Sequence, residues 1–234
     1  MILGFYWKNN MASIAIITAR GGSKRIPKKN IKEFMGKPMI AYAIEAAQEA
    51  DIFDEVMVST DDAEIAETAK KFGACVPFMR SEKTANDFAS TDDVLKEVID
   101  EYKKRGREFE WICCIYPCVP FLTGDILRQA CSKFKNENAD SLMPVVKFSF
   151  PIQRAVRLND KGFLEYREPE NALKRSQDLE PMYHDVGMFY FYKPDKLDSS
   201  EVVMYEMKEQ NIQDIDTLDD WNLAELKCKV LRNE

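Results

Sequence analysis

Two segments of this 234-residue chain hold residue types able to handle phosphate and a divalent cation. The first is RGGSKRIPKKN at residues 20–30, which carries Arg20, Lys24, Arg25, Lys28 and Lys29 and no acid. Adjacent Gly21 and Gly22 let a backbone approach an anion closely and point amides at it. Arg20 can grip phosphate oxygens as a fork, while Lys24 and Lys29 act as point charges. Pro27 stiffens the loop, so less ordering entropy is lost on binding. The run is neither a Walker loop nor the Gly-x-Gly-x-x-Gly pattern. The residues alone leave two readings open, a phosphate cradle and a solvated basic turn. The second segment is Asp214-Ile215-Asp216. In a strand-like stretch, acids two apart project to one face. Two carboxylates near phosphate-binding cations suit magnesium held partly by substrate oxygens. Taken alone, these residues read better as a solvated strand end ahead of a helix cap at Thr217.

Such groups need a scaffold, and composition bounds it. With 45% hydrophobic and 31% charged residues, the chain can bury one principal core. No apolar run is long enough to cross a bilayer, so no membrane association is expected. A net charge of −7 argues against general nucleic-acid binding. The local cation excess at residues 20–30 then points to an anionic ligand. Six cysteines contain no Cys-x-x-Cys pair, and His184 is the sole histidine, so a zinc site lacks its ligands. Reduced thiols in a cytoplasmic protein fit instead. Residues 1–10, MILGFYWKNN, lack a charged n-region and a cleavage site. They are expected to be an extension ahead of a domain spanning 11–234.

Hydrophobic patterning predicts strands at 14–18, 55–59, 111–116, 141–146 and 187–192. The first, IAIIT, fits a strand buried on both faces. Helices are expected at 39–50, 61–72, 91–102, 123–135 and 217–231, with Thr123 and Thr217 as caps. Alternating strands and helices predict a mostly parallel α/β sheet with helices on both faces. Ligands bind such sheets beyond the carboxyl ends of the strands, where the basic loop lies. Residues 147–186 break the rhythm with prolines and short alternating runs, and read as an excursion from the sheet.

The segment IAIITARGGSKRIPKKN resembles the opening motif of the sialic-acid (acylneuraminate) cytidylyltransferases. The resemblance continues through GKPMIAYAIEAA, FDEVMVSTDD, RSEKTANDFAST, CIYPCVPFLTG and DIDT, over residues 12 to 231. Within that family, CIYP, PIQRA and RSQDLEPMYHDVGMFY are similar to the branch acting on pseudaminic acid, which serves flagellin glycosylation or surface polysaccharide. Tyr116 and His184 stand where the neuraminic-acid enzymes usually carry glutamine and arginine. Cys118 and Val119 also depart from the usual pair, with no chemical reading from sequence.

The resemblance implies a nucleotide-diphosphosugar-transferase-like fold whose excursion, 147–186, is a dimerisation and sugar-site lobe. It implies that Arg20, Gly21, Gly22, Ser23, Lys24, Lys29 and Asn30 hold the CTP phosphates and ribose. Arg80, with Ser90 or Thr91, would recognise the cytosine end. Tyr116, Arg175, His184 and Tyr190 would line the site for a nine-carbon sugar acid. Asp214 and Asp216 would bind Mg2+, with Arg20, Lys29 and Asp216 as the catalytic groups. The reaction implied is CMP transfer from CTP to the anomeric hydroxyl of the acid, in a homodimer. Competing expectations are an enzyme for N-acetylneuraminic, legionaminic or Kdo acid, a non-catalytic CTP-binding sensor, and an interaction module.

Overall fold

A computed structural model describes residues 12–232. The expected extension at 1–10 lies outside the described residues. In chain order, β1 (Ala12–Thr18) is followed by β2 (Glu33–Phe34), β3 (Lys37–Pro38), α1 (Met39–Ala50), β4 (Glu55–Ser59) and α2 (Ala63–Lys71). Next come α3 (Glu82–Ala85), α4 (Thr91–Lys104), β5 (Phe109–Ile115), α5 (Gly124–Asn136) and β6 (Ser141–Lys147). The chain ends with β7 (Val156–Leu158), β8 (Leu164–Tyr166), β9 (Tyr183–Asp185), β10 (Phe189–Tyr192), β11 (Val202–Glu206) and α6 (Leu218–Arg232).

The main sheet runs β11-β6-β10-β5-β1-β4, with β9 paired to β6. β1 lies parallel between β4 and β5. β10 is antiparallel to both of its neighbours, β9 is antiparallel to β6, and β11 is parallel to β6. The sheet is thus mostly parallel, as patterning required. The period-two alternation of β1 explains the two helical layers. Ala15 and Ile17 face α1, α2 and α5, while Ile14 and Ile16 face α4 through Leu95, Val98 and Tyr102. Both faces are buried, so the strand is apolar throughout.

Helix starts are fixed by side chains. Asp62 Oδ1 accepts the amides of Glu64 and Ile65 at 2.8 and 3.0 Å, so α2 begins one residue after this cap. The expected start at Asp61 is therefore early by two residues. Ser90 and Asp93 form a reciprocal capping box on α4. Thr123 caps α5, and Thr217 with Asp220 brackets the start of α6.

A third apolar cluster bears directly on the site. Ile26 of the basic loop and Ile215 of the acid pair pack with Phe34, Tyr42, Phe121 and Trp221. The residues around Asp214 and Asp216 form no strand, contrary to expectation. The alternation survives without a ladder, because Ile215 is buried by that cluster and turns its two neighbours outward. In the expected excursion, β7 and β8 form a separate hairpin, whereas β9 rejoins the main sheet. β11 was not anticipated. Its residues alternate only between half-buried and exposed, so its apolar signal is weak.

Candidate active site

A cavity of about 900 Å³ opens where β1 and β5 end. Thr18 closes β1 at its floor, and Tyr116 follows β5 on one wall. The basic loop, the segment before α4, residues 184–187 and residues 214–216 complete it. Segments far apart in sequence thus meet at one carboxyl-end crevice, as open α/β sheets favour.

The loop cations are already ordered by carboxylates. Asp87 Oδ1 accepts from Arg20 at 2.6 Å, and its other oxygen pairs with Lys24. These hydrogen bonds, from Lys24 and then Arg20, hold the Asp87 carboxyl below its ordinary range. Arg25 lies 2.8 Å from Asp216 Oδ1 and Lys29 lies 3.6 Å from the same atom. Lys29 Nζ also donates to the Ile215 carbonyl at 2.6 Å, across 186 residues of sequence. That contact docks the acid pair on the basic loop. Ser23 lines the cavity as well.

Asn30 is 4% exposed and fixes the loop internally. Its Nδ2 donates to the Arg20 carbonyl at 2.8 Å, and Cys118 Sγ donates to its Oδ1 at 3.4 Å. This gives Cys118 the reading that sequence lacked: its thiol orients the amide that shapes the loop. Burial pushes that thiol up to about 12, so it stays a protonated donor. Gly21 and Gly22 do not line the cavity. The Gly21 amide donates to Asp61 Oδ1 at 2.9 Å. A Cβ at Gly21 would sit 2.8 Å from Asp62 Oδ2, so its glycine makes room for the α2 cap.

Arg80 is 8% exposed. It donates through Nε to Ser59 Oγ at 3.1 Å and through an Nη to the Ser59 carbonyl at 2.7 Å. Burial pulls its guanidinium below the ordinary arginine value, against the pull of Asp61 and Glu97. Ser90 reaches the cavity with its hydroxyl engaged in the α4 capping box. Thr91 Oγ1 lies 3.1 Å from the Tyr116 hydroxyl. Burial raises the Tyr116 phenol above its ordinary value. Tyr190 stands behind it, edge-on at 5.6 Å between ring centroids, and donates to Asp185 Oδ2 at 2.7 Å. Tyr190 therefore supports the wall and does not line it. His184 lines the cavity, with Nδ1 2.9 Å from the Asp185 carbonyl and its ring 4.8 Å from that of Phe148.

Arg175, expected at the sugar site, also lies away from the cavity. It lies exposed on the excursion, bonded to Asp178 at 2.7 and 3.0 Å. Conversely, Asp87, Arg25, Cys118 and Asp185 line the cavity without having been assigned a site role. Each lies within a segment already singled out, so their motifs were visible while their contacts were not.

Asp214 and Asp216 both reach the cavity. Among the described residues no group of three potential ligands could hold a metal ion. Two hard carboxylate oxygens fit magnesium, which commonly takes one or two carboxylates and completes its shell with phosphate and water.

The sheet topology and this crevice define an α/β nucleotidyltransferase. A family model described as Cytidylyltransferase matches residues 14–227, and the chain belongs to that family. Pseudaminic acid cytidylyltransferase of Campylobacter jejuni is 39% identical over 226 residues, covering 94% of this chain and 97% of that protein. CMP-N,N'-diacetyllegionaminic acid synthase of Legionella pneumophila is 31% identical over 226 residues, covering 92% and 95%. Among solved structures, CMP:2-keto-3-deoxy-manno-octonic acid synthetase complexed with CTP aligns with a TM-score of 0.69 at 19% identity. It covers 95% of this chain and 100% of that one, a likeness of fold.

Proposed function

We propose that this protein transfers CMP from CTP to the anomeric hydroxyl of a nonulosonic acid, with pseudaminic acid as the sugar, releasing pyrophosphate. One observation carries the reading. A single cavity joins the loop cations, buried Arg80, the Tyr116–His184 wall and the Asp214–Asp216 pair. It does so in a chain 39% identical to a pseudaminic acid cytidylyltransferase.

In this reading Arg20, Lys24 and Lys29 hold the triphosphate, and Arg80 with Ser90 or Thr91 faces the cytosine. Tyr116 and His184 orient the acid. The sugar hydroxyl oxygen attacks the α-phosphorus, and the bond to the bridging oxygen of the β-phosphate breaks. Pyrophosphate departs with that electron pair, its charge met by Arg20 and Lys29. Such transfers depend on alignment and charge neutralisation, and need no protein nucleophile. Asp214 and Asp216 would hold Mg2+, which supplies charge neutralisation at the phosphates. Asp216 takes the hydroxyl proton; both of its ion pairs are made through Oδ1, which leaves Oδ2 for that task.

A homodimer belongs to the same proposal. The excursion exposes Phe150, Leu158, Phe163, Leu164 and Leu173, which supports a second copy covering it. Arg175 would then serve the sugar site from that lobe. Six free cysteines support action in the cytoplasm, where CTP is available, with the product used for flagellin glycosylation or surface polysaccharide. The test is pyrophosphate release from CTP with pseudaminic, legionaminic, N-acetylneuraminic and Kdo acids in turn. Turnover highest with pseudaminic acid supports the reading. Preference for another acid reassigns the sugar, and no turnover with any of them removes the function.

A further inference from the structure

Asp185 ends β9 on the cavity wall, next to His184. Its carboxylate is held at two points. Oδ1 accepts the Gly187 amide at 2.8 Å, in a turn that Gly187 makes at φ +63°, and Oδ2 accepts the Tyr190 hydroxyl at 2.7 Å. Two donors use about half of what a carboxylate can accept. No ion pair satisfies the remainder among the described residues. Asp185 is therefore a pre-aimed acceptor with spare capacity, fixed before any ligand arrives.

Its charge also gives the cavity a direction. Arg20, Lys24, Arg25 and Lys29 supply cations from the loop, whereas residues 184–187 supply a carboxylate. A sugar acid carries its own carboxylate on the anomeric carbon, beside the hydroxyl that must reach the α-phosphate. Repulsion from Asp185 sends that end toward the loop cations. The far end, with its amide N–H and hydroxyl groups, then meets Asp185.

We propose that Asp185 is a specificity-determining residue, which accepts an N–H or O–H donor from the substituted end of the sugar acid and rejects its carboxylate. The proposal rests on the cavity being the sugar site of a cytidylyltransferase.

Asp185→Ala and Asp185→Asn, assayed by pyrophosphate release with CTP and pseudaminic acid, test it. A lost hydrogen bond to a charged group predicts a rise of about tenfold to a hundredfold in the sugar KM. CTP binding, measured by calorimetry without sugar, should match the wild type and so reports an intact fold. Tyr190→Phe, which frees Oδ2 but keeps the charge, should raise the sugar KM by less. An unchanged sugar KM in both Asp185 variants overturns the proposal while leaving the enzymatic reading intact. Lost CTP binding in both would make Asp185 a structural residue and overturn it too. Wild-type protein inactive on every acid overturns both.

Discussion

Replacing Lys29 by methionine keeps the aliphatic stem and removes the charge. Among the loop cations Lys29 is the least exposed, at 23% against 41% for Arg20 and 76% for Lys24. Its field is accordingly screened least by solvent. The ammonium bonds the Ile215 carbonyl at 2.6 Å and sits 3.6 Å from Asp216 Oδ1. On the role proposed for Lys29, the substitution removes one preorganised cation from the transferring phosphates, and it unpins the acid pair from the loop. Losing such a contact costs about 3 kcal/mol in the transition state, or on the order of a hundredfold in rate. The orphaned carbonyl costs about 1 kcal/mol of stability, at the low end because the cavity admits water. The assay is pyrophosphate release at saturating CTP and sugar, paired with thermal melting. A hundredfold fall in kcat with a cooperative melt is expected. Turnover within a few-fold of wild type would refute the role assigned to Lys29, and with it the link between basic loop and acid pair.

Three further outcomes follow from the same geometry. His184→Ala should raise the KM for the sugar acid and leave CTP affinity unchanged in a calorimetric titration; the reverse pattern would move His184 out of the sugar end. Asp87→Asn removes the carboxylate shared by Arg20 and Lys24, so the KM for CTP should fall; a rise would show that Asp87 aligns the two cations for the phosphates. Burial pushes the thiols of Cys114 and Cys118 up to about 12 in the fold, against an ordinary value of 9.0. A raised folded value means that stability is complete below about pH 9 and is lost progressively toward about pH 12, because the unfolded thiols ionise first. Urea midpoints measured on either side of that threshold should show the decline, and Cys118→Ser should reduce it.

Much of the scaffold was legible because its local signals and tertiary packing agree. IAIIT has no polar face, and β1 is buried on both sides. Thr123 and Thr217 each stand at a helix start and each does cap one. The acid pair was legible as a pattern, yet its strand was not formed, since Ile215 alone enforces the alternation by burial. Gly21 has a further use that the loop's own sequence does not announce: it makes room for Asp62, a contact between segments. Asp185 and Cys118 were missed for a related reason. A carboxylate bonded to Tyr190 and a thiol bonded to Asn30 acquire meaning only when the sheet brings β9, β10 and the end of β5 together. Arg175 lies on the excursion, where it makes an exposed pair with Asp178.

In the function proposed here, the cavity joins CTP to a pseudaminic-type sugar acid. Wild-type protein incubated with CTP and Mg2+, scored for pyrophosphate across the four acids, tests it most directly. Release should depend on the acid and be fastest with pseudaminic acid. CTP binding without pyrophosphate release on any acid would contradict it.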